Sequence, residues 1–70
     1  MKFKIGKKYL NRQYETVRII CIDAEGEFPV VGLCKCREDG KEVAQQFDSK
    51  GRYYPEIGEY PLDLIAEIIA

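Results

Sequence analysis

Histidine is missing from this 70-residue chain. Without it, a general base working near neutral pH has to be a retuned carboxylate or a thiol. Glu25, Glu27, Glu38 and Asp39 all fall in turn segments, where water keeps carboxylates ordinary. The sequence also lacks a glycine-rich phosphate loop, a dinucleotide-binding fingerprint, and any Ser-His-Asp or Cys-His pair. No enzymatic activity and no cofactor are expected. No apolar run reaches the length of a membrane span and no signal-peptide core follows Met1, so the expectation is a cytoplasmic protein without a membrane partner. Excess positive charge is lacking too: the net charge is -1 and the pI about 5.4. General duplex binders draw affinity from phosphate neutralisation and are usually basic, so the acidic balance disfavours nucleic acid.

Cysteine is sparse and odd in number: Cys21, Cys34 and Cys36. That count, in a chain without a signal, indicates reduced thiols. Cys34 and Cys36 share one face of a strand about 6.6 Å apart, at the limit of disulfide geometry. A zinc site wants four ligands, and here the fourth would have to be a carboxylate or come from another chain. Buried structural thiols are expected, and no metal.

What is present is globular composition, 46% hydrophobic and 33% charged, in a length that allows a single domain over residues 1–70. Lys2, Lys4, Lys7, Lys8 and Arg12 crowd the first twelve residues with no acid among them. That segment reads either as a solvated, frayed end or as a basic patch for an acidic partner.

Alternation of period two recurs along the chain. Phe3 and Ile5 alternate with Lys2 and Lys4 until Gly6 breaks the run. From Glu15 to Asp23, Val17, Ile19 and Cys21 share one face. Gly26 supplies a turn. In "FPVVGLCKCR", Val30, Gly32, Cys34 and Cys36 share a face, and Gly32 in mid-strand suggests a bend or bulge. Asp39-Gly40 is a strong hairpin signal. "KEVAQQFD" is a more polar strand, Gly51 turns the chain again, and Arg52, Tyr53 and Tyr54 form a short strand stopped by Pro55. "PEIGEYP" is a loop. After a turn at Pro61 to Asp63 the tail is a closing strand or, alternatively, a short C-terminal helix or 3-10 turn. The sum is an all-β chain of five to six short strands, a pattern that indicates a small antiparallel barrel. The expected core is Ile5, Val17, Ile19, Cys21, Val30, Leu33, Phe47, Tyr53, Leu64 and Ile68.

These features together resemble the small orphan proteins with SH3-like barrels that bacteriophages and prophages encode. The likeness rests on Tyr9 and Arg12 in the lysine-rich start and on Val17, Ile19, Ile20 and Asp23. It continues through Phe28, Pro29, Val30 and Gly32, then Asp48, Gly51 and Tyr53, and ends at Pro61, Asp63 and Leu64. One departure is visible. Such proteins often place a glycine turn after the early arginine, where this chain has Gln13, Tyr14 and Glu15, so a longer first turn or an exposed Tyr14 is expected. The resemblance implies a phage origin, an SH3-like barrel and no enzymatic activity. By analogy it implies a protein that binds and blocks a host protein.

Tyrosine supplies contact area at low entropic cost, and there are five tyrosines. Tyr53 and Tyr54 are adjacent, so one points in and the other out. The candidate partner-binding residues are Tyr14, Tyr54, Tyr60, Lys7 and Lys8, with "YPEIGEYP" as the docking loop. Two other functions compete with a protein-interaction module. One is a nucleic-acid-associated barrel using the N-terminal lysines. The other is a self-associating structural or regulatory component.

Overall fold

Strands form where side chains can bury one face of a sheet, and this chain forms five among the described residues. The computed structural model describes residues 2–69. Strands β1 (Lys8–Asn11), β2 (Thr16–Cys21), β3 (Val30–Lys35), β4 (Glu42–Phe47) and β5 (Leu64–Glu67) make one antiparallel sheet in the order β4-β3-β2-β1-β5. The sheet is open, with β4 and β5 as its edges. There is no helix among the described residues, and so none long and apolar enough to cross a membrane.

One face of the sheet carries the core: Tyr9, Val17, Ile19, Val30, Cys34, Phe47 and Leu64, with Phe3 and Tyr53 packed against it. Val17 lies opposite Cys34 and Ile19 opposite Gly32. A Cβ on Gly32 would sit 2.5 Å from Val17 Cγ1 and 3.3 Å from the Arg18 carbonyl oxygen, so the missing side chain is what lets the branched residues of β2 lie close over β3.

The bend expected at Gly32 is made by its partner strand. Ile19 pairs with Gly32 but Cys21 pairs with Val31, leaving Ile20 as the extra residue of a bulge. The bulge shifts the alternation by one. Cys21 therefore leaves the core face and is only half-buried, contrary to its expected place. Leu33 was expected inside as well, but alternation with the buried Gly32 and Cys34 puts it on the outer face, opposite Arg18 and Ala44.

The first strand also differs from expectation. Residues 2–7 are not a strand; β1 starts only after Gly6. Ile5 is 62% exposed, and the buried aromatic of this region is Tyr9. Its ring meets Phe3 edge-on at 4.9 Å. Its hydroxyl accepts the Lys4 N–H at 3.0 Å and donates to the Lys2 carbonyl at 3.0 Å. The lysine-rich segment is thus anchored, not frayed. At the other end the tail is the closing strand β5 rather than a helix. Ile68 follows it half-buried, with its N–H on the Lys8 carbonyl at 2.9 Å. Arg52 to Tyr54 form no strand, so five strands is the total among the described residues.

Replacing Gly32 with alanine should lower stability by about 1–3 kcal/mol, read as a reduced urea midpoint at unchanged slope. A midpoint equal to that of the parent chain would show that the approach of β2 to β3 is not tight.

Candidate interaction site

The connection between β4 and β5 is held by two carboxylates, those of Asp48 and Asp63. After Phe47, Asp48 Oδ1 accepts the N–H groups of Lys50 at 2.9 Å and Arg52 at 2.8 Å. Gly51 turns with φ +85°, in a space where a Cβ would meet Phe3 Cζ at 2.6 Å. The Gly51 carbonyl then accepts the Leu64 N–H at 2.9 Å, joining the two ends of the excursion. Within it, Asp63 is buried at 4% exposure. Its Oδ1 accepts the Tyr53 N–H at 2.8 Å and its Oδ2 the Tyr60 N–H at 2.9 Å, while Arg12 Nε lies 3.5 Å from Oδ2. A buried carboxylate is tolerable only with such charge-assisted partners.

That clamp brings three tyrosine rings together. Tyr53 and Tyr60 stack at 5.5 Å and 12°. Tyr54 meets both edge-on, at 5.3 Å and 4.9 Å. Tyr53 also meets the core ring of Phe47 at 6.0 Å, so the cluster is continuous with the core. Tyr54 stays 46% exposed, and Tyr60 is half-buried. Beside the cluster runs a groove of about 430 Å³, lined by Phe28, Val31, Ala44, Gln45, Gln46, Tyr53 and Tyr54. It follows the free edge of β4, where every second residue turns its backbone N–H and C=O away from the sheet. Gln45 Oε1, in the same lining, is buried without a hydrogen-bond partner among the described residues.

No family model, curated protein or solved structure matches the chain.

Of the five residues expected to form the site, the structure brings Tyr54 and Tyr60 together. Lys7 and Lys8 line a different groove, with Gly6, Glu67, Ile68 and Ile69. Tyr14 sits in the turn between β1 and β2. This turn is tight, not lengthened: Tyr14 N–H reaches the Asn11 carbonyl at 3.0 Å and Asn11 N–H the Glu15 carbonyl at 3.1 Å. The left-handed position that such a hairpin needs is filled by Tyr14 itself, with φ +61° and 71% exposure. Buried Asn11 holds the turn. Its Oδ1 accepts the Gln13 and Glu15 N–H groups, both at 2.9 Å, and its Nδ2 donates to Glu15 Oε1 at 3.0 Å. Sequence reading missed Gln45 and Asp63 as parts of the site. Asp63 in particular reads as an ordinary turn former, because its partners lie three and ten residues away.

The cysteines are free thiols. Burial first, and then the Glu15 carboxylate, push the Cys34 thiol up to about 11. Its Sγ lies 3.7 Å from Glu15 Oε1. It is a neutral packing group at physiological pH, since the thiolate is the reactive form. Among the described residues no His, Cys, Asp and Glu side chains group as metal ligands.

Tyr14→Gly should raise stability by about 0.5–1 kcal/mol, the left-handed strain relieved outweighing the freedom glycine adds to the unfolded chain. Thermal unfolding would show this as a rise of a few degrees; a fall would mean that the exposed ring supports the fold.

Proposed function

We propose that this chain is a non-catalytic protein-interaction module that takes an extended segment of its partner along the free edge of β4. The observation that carries the reading is the groove at that edge. It offers unpaired backbone groups on one side and aromatic surface from Phe28, Tyr53 and Tyr54 on the other. Strand addition uses both, main-chain bonds for affinity and side-chain pockets for selection. Tyr54 is the anchor, an exposed aromatic held rigid by Tyr53 and Tyr60, the type of residue that dominates binding energy at interfaces.

The finer fold we propose is an SH3-like barrel. Support comes from the meander β1 to β4, from β1 pairing with both β2 and β5, and from the Gly51–Leu64 bond that draws the continuation of β4 toward β5. The resemblance to phage and prophage proteins supports a host protein as the partner and its inhibition, in the host cytoplasm, as the outcome.

Peptides selected on the chain from a random library should shift the backbone amide resonances of Ala44, Gln46, Tyr53 and Tyr54. Tyr54→Ala should weaken their binding at least about tenfold, equal to about 1.4 kcal/mol. Selection of no peptide, or shifts confined to other elements, would refute the assignment.

A further inference from the structure

We propose a second binding surface: the turn from Lys4 to Lys7 inserts Ile5 into an anionic lipid surface while the surrounding lysines reach its phosphates. The turn is built for display. Lys7 N–H donates to the Lys4 carbonyl at 3.2 Å and Gly6 has φ +87°, the geometry of a turn whose third residue favours glycine. Ile5 therefore stands at the tip, 62% exposed. The turn is held from both sides. Gly6 N–H donates to the Ile19 carbonyl at 2.8 Å and Ile19 N–H to the Lys7 carbonyl at 3.0 Å. The Tyr9 hydroxyl fixes Lys4 and Lys2. An aliphatic tip on an anchored turn does nothing for the core, which Tyr9 and Phe3 already close here.

Four exposed lysines lie within three residues of this tip in the chain: Lys2, Lys4, Lys7 and Lys8. Among the described residues none of them has a carboxylate within ion-pair distance; the pairs present use Arg12 and Arg18. Beside Lys7 and Lys8 a groove of about 350 Å³ is continued by Glu67, Ile68 and Ile69, and Ile69 is 87% exposed. Apolar side chains and lysines thus share one surface with a single carboxylate, Glu67, and the four lysines leave its net charge positive, complementary to an anionic layer with an apolar interior.

The chemistry favours lipid over the other polyanions. The cations are all lysine, which lacks the bidentate fork that arginine brings to a carboxylate or a base, and lysine is depleted at the centres of protein interfaces. The tip is aliphatic and cannot stack on a base as an aromatic does. Lysines near an anionic membrane act as additive point charges, and an apolar side chain among them reaches the acyl boundary. Lying on a membrane needs no spanning segment. The surface shares no residue with the peptide groove, so this inference stands apart from the proposed function.

The full chain, sedimented with phosphatidylcholine vesicles containing phosphatidylglycerol, should bind at low ionic strength and be released as salt is raised. Vesicles of phosphatidylcholine alone should leave it in solution. Ile5→Ser should weaken binding about tenfold, and Lys4→Ala with Lys7→Ala about twenty-five-fold, at roughly fivefold per lysine; circular dichroism would check that both variants keep the fold. The proposal is overturned by absent binding to the anionic vesicles, by equal binding to neutral ones, or by folded variants that bind like the parent. Tighter binding to single-stranded DNA or polyglutamate than to the vesicles, in direct competition, overturns it as well.

Discussion

The Asp63 carboxylate is the interaction on which the connection between β4 and β5 depends. The stretch between β4 and β5 carries three tyrosines and two prolines but no strand, so it has no ladder to satisfy its backbone. Two of its N–H groups, of Tyr53 and Tyr60, end on the two oxygens of one side chain, with Arg12 alongside. Hydrogen bonds to a charged acceptor are worth roughly 1.5–3 kcal/mol each. Together they bring residues seven apart in sequence into ring-stacking distance. The position of Asp63 in turn follows from the Pro61 turn before it and from β5 directly after it. A loop that reads as surface decoration is therefore part of how the sheet ends.

The same logic recurs at Asn11. A buried polar side chain organises the turn between β1 and β2, and it does so tightly enough to hold a tyrosine where glycine would be easier. The two buried polar residues stand at the start of β5 and the end of β1, and Leu64 pairs with Asn11. In a domain with so small an apolar core, local polar clamps supply order that burial alone cannot.

Much of this fold was legible in the sequence because its signals are local. Period-two alternation located β2, β3 and β4, and the turns at Gly26, Gly40 and Gly51 all adopt positive φ. The tail after Pro61 is a strand. Less legible were features set by pairing partners. The bulge at Ile20 displaces Cys21 from the core, yet nothing in "RIICID" marks it, because it is defined by the register against β3. Tyr9 displaces Ile5 from the core because its hydroxyl finds backbone partners in the preceding segment. For the site, the eight residues "YPEIGEYP" contain both Tyr54 and Tyr60, whose rings meet. The groove beside them was hidden, since Phe28, Ala44 and Gln46 reach it only through the β3–β4 pairing. Of the other residues read as parts of the same site, Tyr14 and Lys7 belong to other turns and Lys8 opens β1.

Native-state amide hydrogen exchange at Tyr53 and Tyr60, in the parent chain and in Asp63→Asn, tests the central claim most directly. With one acceptor oxygen lost, the account predicts that both amides are protected in the parent and that at least one loses protection in the variant, while Ile19 and Cys34 in the sheet keep theirs. Exchange of both tyrosine amides at the rate of exposed loops in the parent, or unchanged protection at both in the variant, would contradict it.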